Sequence, residues 1–312
     1  MEPKTALAFA PAVISNFFVI HNEGLLRTPP DLSQVGATGG GFTLSKGVYT
    51  HAWVVPSSSR AVSAAVNGDA NYPADTTKKA IELLLEGAGQ PPMLVELVQT
   101  VEVPIGAGFG SSSASALSAV MAVAAALKLP MTKEEVASYA HHADIVRHTG
   151  LGTVSSTYNH SGAAVIVHSG GPGVAKLKKV ETPSGLRVVT ACLSRKPKAN
   201  LLSSTRKREK INRLGEIALH QASDLKIESL LAAGHEFAQG LGLMTRAVEH
   251  LVSASLENGA IGASQNMVGN SMHAVVRDED VESIMDTLRS ISTFAKLDSF
   301  RIGGRSARIL KE

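Results

Sequence analysis

The sequence predicts a mixed α+β fold divided into two domains. The chain has 312 residues, roughly twice the ~150 residues of an ordinary domain. Hydrophobic residues make up 44% and charged residues 18%, against about 25% charged residues in typical soluble proteins, so the chain can bury a large core. Strand-like and helix-like segments are mixed without the regular alternation of a doubly wound parallel sheet. These observations favour α+β over α/β.

The first half of the chain contains three long apolar strand-like segments and three helix-like segments. The strands are rich in β-branched residues, and apolar residues recur in the helices at a spacing near 3.6. The second helix has almost no polar face, so we expect it to be buried. Thr132 and Glu135 predict a capping box at the start of the third helix. The predicted strands are 6–10, 48–55 and 93–103, and the predicted helices are 75–86, 112–128 and 132–148.

A segment rich in glycine and proline, 169–185, separates the two halves. It follows a short predicted strand at 165–168. We place a boundary within this segment and predict domains 1–180 and 181–312. In the second domain we predict a strand at 187–193, a helical region ending near His250, a helix at 280–290, and short strands around Phe300 and Ile309.

Composition excludes several classes of protein. Cys192 is the single cysteine, which rules out an internal disulfide or a Cys-rich zinc site and favours a reduced, cytoplasmic setting. A net charge of +3 and 4% aromatic residues argue against nucleic-acid binding. The N-terminal segment carries charges and is broken by Pro11, unlike a signal peptide. The uncharged stretch between Glu102 and Lys128 contains only one short apolar helix, too short to cross a membrane.

The most informative segment is 104–117, PIGAGFGSSSASAL. A strand ends, three alternating glycines follow, and three serines open a long apolar helix. Glycines let the backbone approach a ligand, and the free N–H groups at a helix start bind anions. Serine hydroxyls there can hold a phosphate oxygen or hydrated Mg²⁺. The segment predicts a phosphate-binding loop, and a Gly/Ser connector that caps a buried helix is the alternative.

The loop differs from the two commonest nucleotide-binding loops. No Lys-Ser/Thr follows the glycines, and the next lysine is Lys128, which excludes a Walker A loop. The glycine spacing is G-x-G-x-G, and no acidic residue follows before Glu134. This pattern argues against a dinucleotide-binding turn.

The loop resembles the P-x-G-x-G-x-G-S-S-x-A loop of the GHMP kinase superfamily, and other motifs extend the resemblance along the chain. Within the superfamily, they are most similar to archaeal pantoate kinases. The resemblance implies an N-terminal domain like ribosomal protein S5 domain 2 and a C-terminal ferredoxin-like domain, with ATP and the acceptor meeting between them. The other motifs are 9–18 (FAPAVISNFF), 36–41 (GATGGG), 46–48 (KGV), 149–152 (TGLG) and 262–271 (GASQNMVGNS).

The resemblance also implies roles for individual residues. The loop would bind ATP, and Mg²⁺ would be held by Ser112 and by Asp144, which stands where superfamily kinases usually have Glu. The implied catalytic residues are Asp144, Ser112, Thr153 and Lys198. The implied nucleotide-binding residues are Pro104, Gly106, Ala107, Gly108, Phe109, Gly110, Ser111, Ser112 and Ser113.

Thr153 departs from the pattern of the family. Pantoate kinases have Asp at this position, taken as the base that deprotonates or orients the acceptor hydroxyl, and threonine cannot act as a general base near neutral pH. Homoserine kinases of the superfamily also lack this Asp, and phosphoryl transfer leans mostly on positioning and charge stabilisation. Three interpretations stay open: a base-free kinase, a kinase in which another group replaces the base, and a nucleotide-binding protein that does not catalyse.

Basic and histidine residues supply further candidates. Lys196 and Lys198 lie in a basic segment that could neutralise the transferring phosphate or an acidic acceptor, and a solvated surface is the alternative. His21 is a candidate acceptor contact, although an ordinary loop histidine is favoured.

A second cluster lies on the third predicted helix. His141, Asp144 and His148 occupy one helix face at i, i+3 and i+7. A zinc site at this face is the weaker alternative to an ordinary polar face, because a complete ligand set is lacking.

These motifs together imply ATP-dependent phosphorylation of a small hydroxy acid, with ATP and Mg²⁺ as cofactors. The expected acceptor is pantoate, in coenzyme A synthesis, and a homoserine- or mevalonate-like acceptor is the alternative. We expect no nucleic-acid partner and no membrane partner, and a homodimer is left open.

Overall fold

The fold is described from a computed structural model that covers residues 2–194, 205–267 and 269–311. Over these residues the chain forms eleven strands and eight α-helices. The strands are β1 (Lys4–His21), β2 (Gly36–Pro56), β3 (Ala61–Val66), β4 (Met93–Val101), β5 (Ala163–His168), β6 (Lys176–Lys179), β7 (Leu186–Ser194), β8 (Gly262–Gln265), β9 (Asn270–Arg277), β10 (Lys296–Arg301) and β11 (Arg308–Lys311). The helices are α1 (Asp75–Gly87), α2 (Ser111–Leu127), α3 (Lys133–Val146), α4 (Thr153–Thr157), α5 (Thr205–Gln221), α6 (Ile227–Leu241), α7 (Arg246–Glu257) and α8 (Val281–Ile291).

The larger sheet has seven strands and is built around a long antiparallel pair, β1 and β2. Its main order is β11-β1-β2-β4-β3, and β5 and β6 extend it from the first half of β2. Helix α2 packs against β1 and β2, and α1 and α3 pack beside it. Nearly every residue of α2 is buried. The expectation of a buried central helix is therefore confirmed.

The helices of the first half follow the sequence prediction closely. Their observed bounds differ from the predicted ones by at most two residues. At the start of α3, the Thr132 side chain accepts a hydrogen bond from the Glu135 backbone N–H at 3.2 Å. The Glu135 carboxylate accepts one in return from the Thr132 N–H at 2.7 Å. The predicted capping box is confirmed.

The smaller sheet has four strands in the order β10-β7-β9-β8. Helices α7 and α8 pack against it and enclose a separate core that includes Val189, Leu251, Met272 and Leu288. Strands β8 and β9, which carry the 262–271 motif, were not predicted.

The predicted boundary at residue 180 falls between β6 and β7. All strands of the smaller sheet come from after this point. The chain nevertheless returns to the larger sheet, since β11 pairs with β1 and α5 and α6 pack against β1. Division into domains 1–180 and 181–312 stays a prediction. Within the described ranges, no helix combines the length and apolar character needed to cross a membrane.

Candidate active site

The predicted phosphate loop connects β4 to α2 and turns through its glycines. Gly106, Gly108 and Gly110 all have positive φ, at 72°, 82° and 60°, a conformation that other residues adopt only with strain. The side chains of Ala107 and Phe109 between them are buried in the core. These two side chains hold the loop against the core, and the glycines next to them are partly exposed.

Close contact with the 262–271 motif explains why position 108 needs glycine. A Cβ at Gly108 would lie 2.5 Å from the Asn266 carbonyl oxygen. Ser271 donates a hydrogen bond from Oγ to the Ala107 carbonyl at 2.5 Å. On the other side, the Val13 N–H of β1 donates to the Phe109 carbonyl at 3.1 Å. Two motifs that are far from the loop in sequence, 9–18 and 262–271, therefore hold it in position.

Helix α2 begins with an end suited to an anion. Its N-cap is Gly110, which supplies no side-chain capping bond, and its first turn contains no acidic residue. The N-terminal N–H groups and the positive end of the helix dipole are thus free of a protein carboxylate. Ser111 and Ser112 at this end line a cavity of about 540 Å³, a size typical of small-ligand sites.

The lining of this cavity contains both apolar and polar residues. It includes an ion pair between Arg147 and Asp75, with a nitrogen–oxygen distance of 3.0 Å. We call it the nucleotide cavity. Its apolar walls include Val66, Tyr72, Pro73 and Ile105, and its polar walls include Thr76, Ser111, Ser112, Ser115 and Thr149.

Asp144 lies behind the start of α2 and is fully buried. Ser113 donates to its Oδ2 at 2.5 Å and Thr149 donates to its Oδ1 at 2.7 Å. Burial raises the pKa of Asp144 to about 6, and these two hydrogen bonds oppose the rise. The residue of α2 that contacts Asp144 is therefore Ser113. The predicted Ser112, one residue earlier in the helix, is exposed.

The surroundings of Asp144 fit a hard divalent cation. A Cβ at Gly150 would lie 2.8 Å from Asp144 Oδ2 and 3.0 Å from Ser113 Oγ, so glycine keeps these two oxygens unobstructed. In the described part of the chain, no group of three or more His, Cys, Asp or Glu side chains could hold a metal. One carboxylate with hydroxyls is the sparse oxygen set with which Mg²⁺ binds alongside substrate phosphates and water.

Thr153 is the first residue of α4 and lies against the loop. A Cβ at Gly110 would be 3.2 Å from the Thr153 methyl carbon and 2.6 Å from a Val13 methyl carbon. No hydrogen bond joins the Thr153 hydroxyl to another described side chain or backbone group. Thr153, the loop and Asp144 lie in one region of the structure, as the motifs predicted. The roles of these residues stay predictions.

A buried polar cluster connects the 9–18 motif with the 262–271 motif, and sequence analysis missed it. The His273 ring contacts the Asn266 side-chain oxygen through Nδ1 at 2.9 Å and the Asn16 side-chain nitrogen through Nε2 at 3.4 Å. Burial lowers the pKa of His273 to about 3, so the ring is neutral and can donate at Nδ1 while accepting at Nε2. Asn266 follows β8 and His273 lies in β9, and their N-x₆-H spacing carried no recognisable signal before the pairing of these strands was known.

Two of the remaining histidine candidates, His21 and His141, have hydrogen-bonding partners, and the third, His148, lies outside the helix. His21 Nε2 and Thr38 Oγ1 are 3.0 Å apart. His141 Nε2 donates to the Val35 carbonyl at 2.9 Å. His148 lies beyond the end of α3 with a positive φ of 55°, so it leaves the helix face that it was expected to share with Asp144. Lys196 and Lys198 lie outside the described residues.

Comparison with known proteins finds a family model that matches the part of the chain around this site. Residues 75–159 match the GHMP kinases N terminal domain. They contain the glycine loop, Asp144 and Thr153. The chain carries a GHMP kinase N-terminal domain. The predicted α+β GHMP kinase fold is confirmed over the whole chain, because a solved structure described as a phosphotransferase related to the CoA biosynthesis pathway covers 98% of this chain and 99% of its own, with a TM-score of 0.84 and 25% identity.

Two kinds of curated relative resemble this chain. The pantoate kinase of Methanospirillum hungatei is 26% identical over 293 residues, which is 88% of this chain and 89% of the relative. The mevalonate kinase of Pyrococcus furiosus is also 26% identical, but over 235 residues and 66% of each chain. The similarity to the pantoate kinase therefore extends over more of both proteins.

Proposed function

We propose that this protein is an ATP-dependent kinase that transfers a phosphoryl group to the hydroxyl of pantoate. The kinase part of the proposal rests on one observation: the uncapped start of α2 opens into the nucleotide cavity. Free N–H groups and a helix dipole at such an opening bind phosphate. A lining that contains both apolar and polar residues suits a purine and its phosphates.

Residues of this chain would contribute to phosphoryl transfer mainly by binding and positioning the nucleotide and the acceptor. The glycine loop and the first turn of α2 would hold the phosphates, with the exposed Ser112 hydroxyl available to a phosphate oxygen. Asp144 and Ser113, rather than Asp144 and Ser112, offer adjacent oxygens for Mg²⁺. Bound Mg²⁺ would neutralise charge on the phosphates. The acceptor oxygen would then bond to the terminal phosphorus as the bond to ADP breaks, and the hydroxyl proton would leave to solvent.

The choice of pantoate rests on the similarity that spans most of the chain. The mevalonate kinase resemblance covers two thirds of each protein and leaves part of the chain unexplained. Pantoate carries a carboxylate that a basic group could recognise. Lys198 stays a proposed contact for that carboxylate or for the transferring phosphate.

A nucleotide-binding protein without catalysis is the competing function, and Thr153 is the observation that favours it. Threonine cannot remove the acceptor proton. We favour the kinase because phosphoryl transfer is driven mainly by positioning and electrostatics, and both Asp144 and the loop are in place. In this proposal Thr153 orients the acceptor hydroxyl as a hydrogen-bond partner.

Measurement of ADP release with ATP, Mg²⁺ and a panel of acceptors tests the proposal. The panel contains pantoate, homoserine, mevalonate and shikimate, with a reaction lacking acceptor as the control. Pantoate should give ADP above this background and 4-phosphopantoate as product. Turnover only with another acceptor would overturn the pantoate assignment and keep the kinase. ATP binding by calorimetry without turnover on any acceptor would establish the non-catalytic function.

A further inference from the structure

A second cavity, of about 570 Å³, lies where the two sheets meet. It shares no lining residue with the nucleotide cavity, and none of the motifs discussed above accounts for it. Its walls come from the segment before β5, from the segment between β6 and β7, and from the turn after β10. We call it the seam cavity. The residues that matter below are Ser161, Lys179, Arg187, Asp278 and Arg301.

The lining of the seam cavity is strongly basic for its size. Lys179, Arg187 and Arg301 are opposed by one carboxylate, Asp278. Asp278 is partly engaged already, because its Oδ1 lies 3.8 Å from Arg187 Nε. Among the described residues, neither Lys179 nor Arg301 forms an ion pair. Positive charge is therefore left uncompensated inside a concave surface.

Two of these cations face each other across neighbouring strands. Arg187 on β7 and Arg301 on β10 are directly paired in the antiparallel register, so their side chains leave the sheet on the same face. Like charges at directly opposed positions destabilise a sheet. The Arg187 guanidinium is held by Ser299 Oγ at 3.1 Å, whereas Arg301 is exposed. An anion between the two arginines would convert the repulsion into two attractive contacts.

Polar atoms beside the cations also lack partners. Ser161 is part of the cavity lining, and its buried hydroxyl has no hydrogen-bond partner. His160 Nε2 is similarly buried and unpartnered. Burial lowers the pKa of His160, and the nearby charge of Lys179 adds to the effect. Buried polar groups without a partner are rare in folded proteins, and here they adjoin uncompensated cations.

We propose that the seam cavity binds a small molecule that carries a phosphate or pyrophosphate group. Arginine guanidinium groups match phosphate oxygens with paired hydrogen bonds, and Ser161 adds a hydroxyl donor. The volume exceeds that of an inorganic ion and falls in the range of small-molecule sites. Lys179 belongs to the larger sheet, while Arg187 and Arg301 belong to the smaller one. The ligand would thus contact both sheets and hold them together.

Calorimetric titration with inorganic pyrophosphate, in magnesium-free buffer, tests the proposal on the full chain. The variants are Arg301→Gln and a matched control, Arg308→Gln, which removes the same charge from exposed β11 outside the cavity. Arg301→Gln should weaken one binding event at least about tenfold, whereas Arg308→Gln should leave it unchanged. An equal effect of the two variants, or no event sensitive to Arg301, would overturn the proposal.

The test does not depend on the proposed kinase function. If the glycine loop also binds pyrophosphate, the wild type shows two events and Arg301→Gln removes only one. If the loop binds no phosphate, the wild type shows one event and Arg301→Gln removes it. If the seam cavity binds no pyrophosphate, any binding event at the glycine loop has the same affinity in Arg301→Gln as in the wild type.

Thermal melting supplies a second readout. Without multivalent anions, Arg301→Gln should melt at the wild-type temperature or above it, because the variant removes a repulsion. With saturating pyrophosphate the order should reverse. Sodium chloride at the same ionic strength should not reverse the order of the two melting temperatures. A reversal by sodium chloride would show that charge screening, and not pyrophosphate binding, causes the change.

Discussion

The N-termini of helices α2 and α4 both lie beside the glycine loop, and the residues around the two N-termini differ. Helix α2 follows Gly110 and helix α4 follows Gly152, and neither glycine supplies a side-chain cap. Behind α2 stands the buried carboxylate of Asp144, held by two hydroxyls. At the start of α4 stands Thr153, where the resemblance to pantoate kinases leads us to expect a carboxylate. We refer to these as the nucleotide side and the acceptor side.

The difference indicates which part of the chemistry the chain retains. On the nucleotide side, the glycine loop and Asp144 lie close together, Ser113 contacts the carboxylate where Ser112 was predicted, and two other motifs contact the loop. On the acceptor side, one charge is missing and the hydroxyl that replaces it has no partner among the described residues. Under the proposed function, nucleotide binding would depend on the nucleotide side, and the acceptor proton would be handled without a carboxylate.

Gly108→Val should have the largest effect, because it removes the nucleotide side. The new Cβ would meet the Asn266 carbonyl at 2.5 Å, and the φ of 82° would be strained. ATP affinity by calorimetry should fall at least about 100-fold. Gly259→Val is the matched control, since Gly259 has a φ of 94° but nothing within 4 Å of its Cβ position. Equal ATP affinity in wild type and Gly108→Val would refute the loop assignment.

Asp144→Asn should separate binding from transfer. Loss of the carboxylate removes charge that would hold Mg²⁺, so kcat should fall about 100-fold or more. ATP affinity should fall by less than about tenfold, since the loop remains intact. Steady-state kinetics and calorimetry on the same preparation measure both. A loss of ATP binding as complete as in Gly108→Val would mean that Asp144 supports the fold of the loop instead.

The stability of the ligand-free protein should report the burial of Asp144. A carboxyl whose pKa is raised from 3.8 to about 6 in the folded state stabilises the fold fully below about pH 4 and loses this contribution as pH rises through 6. Relative to Asp144→Asn, the wild type should lose about 2 kcal/mol of unfolding free energy between pH 4 and pH 7. Urea denaturation of both proteins at several pH values measures the difference. A constant difference would contradict the burial of an ionised carboxylate.

A pair of serine variants sharpens the assignment on the nucleotide side. Ser113→Ala removes a hydrogen bond that lowers the pKa of Asp144, so the rise of kcat/KM with pH should move to higher pH. Ser112→Ala should leave this profile in place and weaken ATP binding, because Ser112 lines the cavity without contacting Asp144. Each variant should cost about tenfold in activity. If only Ser112→Ala moves the pH profile, Ser112 is the partner of Asp144.

The elements that the sequence predicted well are those whose signal is local. Helix α2 is apolar all round and α3 has its capping box, so neither depends on distant contacts for recognition. The first half of β2 was missed because its glycines, Gly39 to Gly41, have low strand propensity. The structure shows why small residues are needed there: a Cβ at Gly40 would collide with Phe17 and Leu230. Strand formation in this segment is imposed by packing from other elements.

The same division applies to the candidate site. The loop, Asp144 and Thr153 could be located from motifs. The choice between Ser112 and Ser113 could not, since successive helical residues point about 100° apart and the rotation of α2 against α3 is set by tertiary packing. The Asn16–His273–Asn266 cluster could not be predicted either, because it depends on β-pairing between segments that are far apart in sequence.

Thr153→Asp, assayed beside the wild type with ATP, Mg²⁺ and pantoate, tests the central claim most directly. If the nucleotide side suffices for transfer and the acceptor side works without a base, the wild type turns over pantoate and the variant changes kcat by less than about tenfold. A general base typically contributes about 100- to 10,000-fold. A wild type without turnover, together with a Thr153→Asp variant that phosphorylates pantoate, would contradict the account and show that the natural chain binds nucleotide without catalysis.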